Sequence, residues 1–279
     1  MNSVLTVVQD YVLGTSLPAQ IIQYAVLVLV VYFVLLAGSN LVDMIETYSE
    51  STTSLLPYLY DSAKVIYQDP NQKGSITINP SVNAPAGLEF SYSCFLLLKN
   101  TTFQGTSSGL RHIFHKGSPV YKPLMCPGVF VRNNENTLVV YMNNASAWNT
   151  YCEIPNIPVN KFFHLAIVVR NMNVDIYLNG NVAHRMQLPA IPYQNFGDLY
   201  TFKAEKFSDQ GSAPPEDVFR VEGAASGLIS SLLYSAYALN YEQIDRMLRS
   251  GPSTQLDSAS TNLPPYLTDS WWVTYYGTN

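Results

Sequence analysis

Charged residues are scarce in this chain of 279 residues: Lys, Arg, Asp and Glu make up 13% of it, about half the share usual in soluble proteins. Its 15 basic and 20 acidic residues give a formal net charge of −5, and the basic residues do not cluster in the sequence. Nucleic-acid binding is therefore not expected, because phosphates are bound by clustered Lys and Arg side chains. Part of the deficit comes from an apolar N-terminus. The rest, together with 20 tyrosines, predicts a surface buried against other proteins.

Cysteine is also scarce. Cys94, Cys126 and Cys152 are an odd number without Cys-x-x-Cys spacing, which indicates neither a disulfide framework nor a zinc site. Reduced thiols are expected, with Cys94 in a buried strand. Two acceptor sequons, Asn100-Thr101-Thr102 and Asn144-Ala145-Ser146, favour instead a glycosylated lumenal domain, although sequons often arise by chance in Asn-rich chains.

No charged residue lies between Asp10 and Asp43, and Ile21 to Ala37 is almost wholly apolar. With its flanks this run reaches the roughly 20 residues that a helical membrane span needs. A cleaved signal peptide is the alternative, but no Lys or Arg precedes the run, and it begins late. A buried core helix fits less well, because the run is apolar on every face. The pattern predicts a single-pass anchor region over residues 1–42, with the span at about 19–40. Its expected lipid-facing residues are Ile21, Ile22, Leu27, Val30, Phe33 and Leu36.

Composition divides the rest of the chain into three parts. Residues 43–74 mix acidic residues, Ser and Thr with a short apolar cluster, which predicts a stalk or linker. Residues 75–252 are long enough for one β-rich domain. Residues 253–279 form a tail that ends in aromatic residues, which either pack back on the domain or dock into a partner. These aromatic residues include Trp271, Trp272, Tyr275 and Tyr276. The positive-inside rule gives no orientation, because the first basic residue is Lys64.

The segment from Lys161 to Leu188 predicts two adjacent β-hairpins. His164 to Val169 and Val174 to Leu178 are rich in β-branched and aromatic residues, as is typical of strands. Asn171 to Asn173 separates them, and Asn179-Gly180 supplies the positive φ angles of a type I′ turn. Two adjacent hairpins of this kind predict an antiparallel sheet.

This stretch resembles the laminin-G-like branch of the concanavalin A-like lectin/glucanase superfamily. The resemblance implies a mainly β fold, an antiparallel two-sheet jelly-roll sandwich, here preceded by one N-terminal transmembrane helix. The family's order continues in Leu88 to Lys99, Ile113 to Gly117, Gly128 to Met142, and Gly227 to Pro252. Pro189 to Pro215, with several Pro and Gly, predicts a long surface connection. This fold hosts lectins, hydrolases, adhesion modules and structural domains, so it does not specify a ligand.

Catalytic and metal-binding patterns are missing. The glucanases of the superfamily carry alternate carboxylates on one strand, whereas no two carboxylates here are separated by a single residue. His112 and His115, three apart on a strand, are expected on opposite faces without a carboxylate to complete a metal site. His164 is expected to pack in a core strand, and no Gly-x-Ser-x-Gly elbow indicates a Ser-His-Asp triad. We therefore predict no enzyme activity, no cofactor and no metal.

A glycan site requires aromatic platforms and amide groups in one concavity. The segment from Val140 to Glu153 supplies both, and the same residues also suit a polar protein contact. The candidate contact residues there are Tyr141, Trp148 and Tyr151, with Asn143, Asn144 and Asn149.

Two hypotheses about function follow. The first is a structural, non-enzymatic protein, because the anchor, the free cysteines, the sandwich and the aromatic tail together resemble in type the minor capsid or virion membrane proteins of large icosahedral DNA viruses. That resemblance implies a lipid bilayer and other capsid or assembly proteins as partners, and a place between an internal membrane and the capsid shell. The second is a membrane-tethered lectin or adhesion module that binds glycans, which glycosylation at Asn100 and Asn144 would favour.

Overall fold

The computed structural model describes residues 17–50, 52–81, 83–84, 87–209 and 219–257. The chain divides into two compact units, residues 1–51 and residues 52–279. Four aromatic residues of the predicted C-terminal tail lie outside the described residues: Trp271, Trp272, Tyr275 and Tyr276.

Helix α1, Leu17–Glu50, is the described part of the first unit. Its segment Ala19–Leu41 is long and apolar enough to cross a membrane, as predicted. Pro18 lies in the first turn, where its missing N–H costs no helical hydrogen bond. The side chains from Gln20 to Leu41 are exposed. They include all six expected lipid-facing residues, Ile21, Ile22, Leu27, Val30, Phe33 and Leu36.

Strands dominate the second unit. Its described residues also contain a 3₁₀ helix at Asn100–Phe103 and helix α2 at Tyr241–Ser250. The strands are β1 (Thr52–Tyr60), β2 (Lys64–Ile66), β3 (Asn83–Ala84), β4 (Gly87–Leu98), β5 (Leu110–Gly117), β6 (Met125–Arg132), β7 (Leu138–Met142), β8 (Thr150–Ile154), β9 (Phe162–Arg170), β10 (Asn173–Leu178), β11 (Asn181–Gln187), β12 (Asp198–Thr201), β13 (Phe207–Ser208), β14 (Arg220–Ala224) and β15 (Gly227–Ser235).

The strands form two sheets that pack as a sandwich. Sheet A has the order β1-β15-β4-β9-β10-β11, with β3 beside β4. Sheet B has the order β13-β14-β5-β6-β7-β8, and β12 pairs with both β2 and β5. The described pairs are antiparallel, apart from the parallel pair of β14 with β5. The predicted two-sheet antiparallel architecture is therefore confirmed.

The main core lies between the sheets. Alternate residues of β4 and β9 point into it, as the two-residue period of a strand requires. Those residues are Phe90, Tyr92, Cys94, Leu96 and Leu98 of β4, and Phe163, Leu165, Ile167 and Val169 of β9. The three cysteines are buried and free, in agreement with the prediction of reduced thiols.

The outer faces of both sheets carry smaller apolar clusters. On sheet A, helix α2 packs through Ile244 on Ala166 and Val168 of β9, which face away from the main core. Helix α2 begins at a capping box in which Asn240 and Gln243 bind each other's backbone N–H groups. On sheet B, an aromatic cluster contains Tyr121, Phe130, Tyr141 and Phe219, with Trp148 and Phe207 packed against it.

The structure differs from the sequence-based expectation in two connections. Residues 43–74 were expected to form a stalk, but α1 continues to Glu50 and β1 pairs with β15 at the edge of sheet A. The buried side chains of Leu55 and Leu56 hold β1 in the main core. The connection expected over residues 189–215 contains β12 and β13, so part of it belongs to sheet B.

Candidate functional site

The aromatic residues predicted as a glycan platform lie together, but they do not form an open surface. Tyr141 of β7 lies opposite Tyr151 of β8 and is buried. Its ring packs against Phe219 with 5.1 Å between ring centroids, and the Tyr151 ring covers it at 5.1 Å. Trp148 packs on Phe219 at 5.3 Å, and the Lys122 ammonium lies 5.5 Å from its ring centroid. These rings stabilise the outer cluster of sheet B: Tyr141 is buried, Trp148 is half-buried, and Tyr151 is 38% exposed.

The neighbouring amides are also occupied by the fold. Asn144 is 2% exposed, and its Oδ1 accepts hydrogen bonds from the N–H groups of Ser146 and Ala147. Its Nδ2 donates to Thr150 Oγ1 at 2.7 Å. A glycan replaces one of the two Nδ2 hydrogens, and because the side chain is buried, the folded loop would have to open to accommodate it. Asn100, by contrast, is exposed at the start of the 3₁₀ helix.

A different concavity lies at one end of the sandwich. It is a narrow apolar cleft in which water-sized molecules can reach about 40 Å³; its empty space, counted with the open mouth, is about 380 Å³. Phe90 and Tyr92 of β4 and Tyr234 of β15 line it from sheet A, while Lys116 and Cys126 line it from sheet B. Two loops complete its walls with Ile78, Asn79, Pro80, Gln194, Asn195 and Phe196. Aromatic walls with a few polar groups are typical of small-ligand sites.

Phe196 is the most exposed apolar side chain of the cleft. It is 83% exposed, and Tyr193 and Ile191 of the same loop are exposed as well. Folding normally removes a phenylalanine side chain of this size from water, because burial stabilises it by about 2 kcal/mol. An exposed ring beside an apolar cleft therefore indicates a contact surface for a ligand or partner.

Hydrogen bonds hold this loop in place. The Tyr193 N–H donates to the Asn143 carbonyl at 3.0 Å, and Gln194 Nε2 donates to the Tyr234 hydroxyl at 3.3 Å. Lys116 Nζ donates to the carbonyl oxygens of Asn195 at 2.5 Å and Gly197 at 2.8 Å. The exposed rings are thus presented by an ordered backbone, which lowers the entropy cost of binding.

Lys116 is buried, and its ammonium is satisfied by carbonyl oxygens instead of water. Burial lowers the pKa of Lys116 to about 8, although the nearby Asp198 carboxylate acts in the opposite direction. Burial likewise raises the pKa of the Cys126 thiol to about 12, so this cysteine is a protonated apolar residue at neutral pH. The role of Lys116 in the cleft is to position the loop.

His112 and His115 lie on the same side of β5, contrary to the expectation from their spacing. A β-bulge at Ile113 interrupts the pairing with β6, since His112 lies opposite Phe130 and Phe114 opposite Val129. One extra residue reverses the alternation of side chains after the bulge. The two rings are hydrogen-bonded, with 2.8 Å between His112 Nε2 and His115 Nδ1.

Each ring nitrogen of the histidine pair has a partner. The Lys203 N–H donates to His112 Nδ1 at 2.9 Å, so His112 carries its proton on Nε2 and donates it to His115 Nδ1. His115 Nε2 in turn donates to the Ser118 carbonyl at 3.0 Å. No group of three metal-ligating residues occurs among the described residues. The pair therefore joins β5 to two loops.

Ser93 and His164 form a pair on the outer face of sheet A, with 2.8 Å between Oγ and Nε2. This distance suits a nucleophile and its base, but His164 Nδ1 is buried without a hydrogen-bond partner in the described part of the chain. Both side chains are buried, and Phe95 packs on the His164 ring at 4.9 Å. The pair lacks both the orienting carboxylate and the open access that hydrolysis requires.

The fold is similar to that of botulinum neurotoxin binding domains. The serotype D ligand-binding domain, solved in complex with N-acetylneuraminic acid, shares 12% identity over 74% of this chain and 52% of its own, with a TM-score of 0.48. The receptor-binding domain of the C/D mosaic serotype shares 13% identity over 72% of this chain and 51% of its own, with a TM-score of 0.45. The type G receptor-binding domain shares 13% identity over 68% and 47%, with a TM-score of 0.42.

This chain therefore spans about half the length of those domains. No protein-family model matches the chain, and no curated protein is similar to it in sequence. The assignment of a two-sheet sandwich rests on the strand pairings described above.

Proposed function

We propose that this protein is a non-enzymatic recognition module, anchored in a membrane by α1, which binds a glycan at the cleft beside Phe196. The observation that carries the proposal is the 83% exposure of the Phe196 ring on an ordered loop at the mouth of an aromatic cleft. A sugar ring presents an apolar face that stacks on exposed aromatic rings, here Phe196 and Tyr193. The exposed amide of Asn79, which also lines the cleft, supplies a donor and an acceptor for sugar hydroxyls.

The cleft was not predicted from sequence, because its residues come from distant segments. One signal was present: no charged residue lies between Arg185 and Asp198, while Ile191, Tyr193 and Phe196 are spaced through that stretch. An uncharged loop with three large apolar residues is unusual on a solvated surface.

A glycan array with the full-length protein in detergent tests the proposal. We expect a restricted set of neutral glycans to bind, and Phe196→Ala to weaken that binding at least tenfold. Phe162→Ala, which removes an exposed ring at the start of β9, is the matched control and should retain binding. Tyr151→Ala tests the site expected from sequence in the same way. Absence of glycan binding, or equal binding by the Phe196 variant, would reject the proposal.

A structural role in a membrane-bound assembly is the second candidate, including that of a minor capsid protein between a virion membrane and its shell. The exposed apolar side chains Val65, Tyr67, Val120, Leu124 and Ile191 favour it, since a charge-poor surface of this kind suits protein contacts. Sedimentation of the native protein with and without detergent, followed by mass spectrometry, tests this role. Fast sedimentation in a defined particle supports it, and a slow detergent-bound monomer excludes it.

A further inference from the structure

We infer that the protein has a second binding site, for an anionic group of the sulfate or carboxylate type, in a depression of sheet B at the ends of β5, β13 and β14. Arg111, Lys206 and Arg220 surround this depression, and Ser208 adds a hydroxyl group. The chain has only 15 basic residues and a net charge of −5, so three cationic side chains around one depression are a local exception. This site goes beyond the glycan cleft of the proposed function.

Strand pairing brings these side chains together. Ser208 of β13 lies opposite Arg220 of β14, and Phe207 lies opposite Val221. Strand β14 runs parallel to β5, with Val221 opposite Leu110, which places Arg111 beside the same depression. Directly opposed residues in a sheet have Cβ atoms about 5 Å apart, so Arg220 and Ser208 can contact one small ligand.

The positive charge of the depression is only partly neutralised. Glu222 is the single carboxylate among its lining residues. Its Oε1 accepts hydrogen bonds from Ser107 Oγ at 2.6 Å and from Arg220 Nη2 at 2.9 Å, and its Oε2 accepts one from Asn133 Nδ2. Within the described part of the chain, Lys206 has no ion-pair partner. Among the described residues, Arg111 and Lys206 therefore lack a carboxylate partner in the depression.

Arg111 is fixed by its neighbours. Its Nε donates to Asn133 Oδ1 at 2.8 Å, and its Nη1 donates to the Glu222 carbonyl at 3.3 Å. A guanidinium group has five N–H donors, so these two bonds leave three for an incoming oxyanion. A fixed guanidinium with spare donors is a preorganised partner for sulfate or carboxylate oxygens.

Phe207 and Val221 also line the depression, but they alternate along their strands with Ser208 and Arg220, so their side chains point to the other face of sheet B. Phe207 packs on Phe219 at 5.9 Å and on Tyr121 at 6.0 Å, and Val221 is buried in the same cluster. This packing holds β13 and β14 in place, so the charged side chains on the other face are presented by a fixed backbone. Three cationic side chains and a hydroxyl group suit an anionic group carried on a sugar or another compact body.

The depression and the glycan cleft are separate sites. Arg111 and Lys116 lie five positions apart on β5, which corresponds to about 16 Å along a strand. Failure of either site to bind leaves the other proposal unaffected.

Titration of full-length protein in detergent with sodium sulfate, at ionic strength held constant with sodium chloride, tests the anion site. Sulfate stabilises most proteins by exclusion from their surface, but that effect does not saturate at millimolar concentrations. We expect a saturable rise in Tm at millimolar sulfate, and a loss of that saturable part when Lys206→Gln and Arg220→Gln are combined. Arg249→Gln, a change of charge on the exposed face of α2, is the control and should behave like the wild type.

A second experiment tests whether the anionic group is carried on a sugar. Glucose 6-sulfate, glucuronate and glucose are compared as probes by calorimetry with the same variants. Binding of either charged sugar, at least tenfold tighter than that of glucose and lost in the Lys206/Arg220 variant, supports the site. Both substituted side chains are exposed, so the variant should have the wild-type Tm without sulfate. A purely linear response to sulfate, or a saturable response that persists in the variant, would overturn the inference.

Discussion

The histidines show how strongly single residues depend on long-range pairing. His112, His115 and His164 are all buried and neutral, and burial lowers the pKa of each. For His115 and His164 the lowered pKa is about 4. The sequence placed all three on strands, but it could not place the bulge at Ile113, because the bulge is a property of the pairing with β6. The contact between His112 and His115 was therefore missed.

These pKa values predict loss of stability in acid. Below pH 6.5 the unfolded chain binds protons at histidines that the folded chain keeps neutral, so the free energy of unfolding falls as pH drops from 6.5 toward 4. By pH 5 we expect a loss of about 2 kcal/mol for each of His115 and His164. Urea unfolding of the full-length protein in detergent at pH 7.5 and pH 5 measures it.

A double variant isolates one histidine. Ser93→Ala with His164→Leu replaces both members of a buried hydrogen bond by apolar groups, which costs little stability at neutral pH. We expect this variant to lose about 2 kcal/mol less than the wild type between pH 7.5 and pH 5. His184→Gln removes a partly exposed histidine from β11 and should keep the wild-type dependence. An unchanged acid sensitivity of the double variant would contradict this assignment.

At the scale of elements, local turn chemistry was the most predictable part of the fold. Asn179 and Gly180 have φ angles of 49° and 79°, as the predicted type I′ turn requires, and Asn179 Oδ1 also accepts the His164 N–H at 2.9 Å. Strand β1 was missed because its sequence contains Pro57 and several polar residues. It pairs with β15 from Thr52 opposite Ser235 to Tyr60 opposite Ile229, and local composition does not indicate a partner so far along the chain.

A substitution in the Asn179-Gly180 turn tests how closely this turn packs against α2. Gly180→Ala should lower the free energy of unfolding by about 1–2 kcal/mol, because a residue with Cβ is strained at this φ. The new Cβ would also lie 3.2 Å from Leu248 Cδ2 of α2. Gly74→Ala has nearly the same φ, 77°, with no atom within 4 Å of its Cβ. The loss of unfolding free energy, measured by urea unfolding, should be larger for Gly180→Ala than for Gly74→Ala. Equal losses would show that α2 moves away from the new Cβ at no energetic cost.

At the scale of the whole molecule, α1 contains a segment, Ala19–Leu41, that is long and apolar enough to cross a membrane. Leu27→Arg combined with Val30→Arg should release the protein from membranes in alkaline carbonate extraction, since each arginine at mid-span opposes insertion by about 3 kcal/mol. Leu27→Ala with Val30→Ala keeps the helix apolar and should stay with the membrane. A mature wild-type protein that has lost the N-terminal residues by mass spectrometry would identify the helix as a signal peptide instead of an anchor.

The charge-poor composition also has a structural cause at this scale. Both outer faces of the sandwich carry apolar clusters, so strands such as β9 are apolar on both sides. Composition suggested partner burial, but the aromatic cluster around Tyr141 and Phe219 is buried by the chain itself. Whether an aromatic ring is covered depends on distant segments, here Phe219, and this explains why the burial of Tyr141 was not foreseen from the sequence.

The buried amide of Asn144 has a consequence for biosynthesis. In any cell that passes this chain through the endoplasmic reticulum, oligosaccharyltransferase would compete with closure of the Asn144 loop for the same nitrogen atom. A chain modified there before closure would have to fold with this loop open, because the Asn144 side chain is buried in the native loop. The glycosylation state of Asn144 would then report how fast the loop closes. Molecules with one glycan, at Asn100, closed the loop before modification, whereas molecules with two glycans are the fraction that quality control must remove.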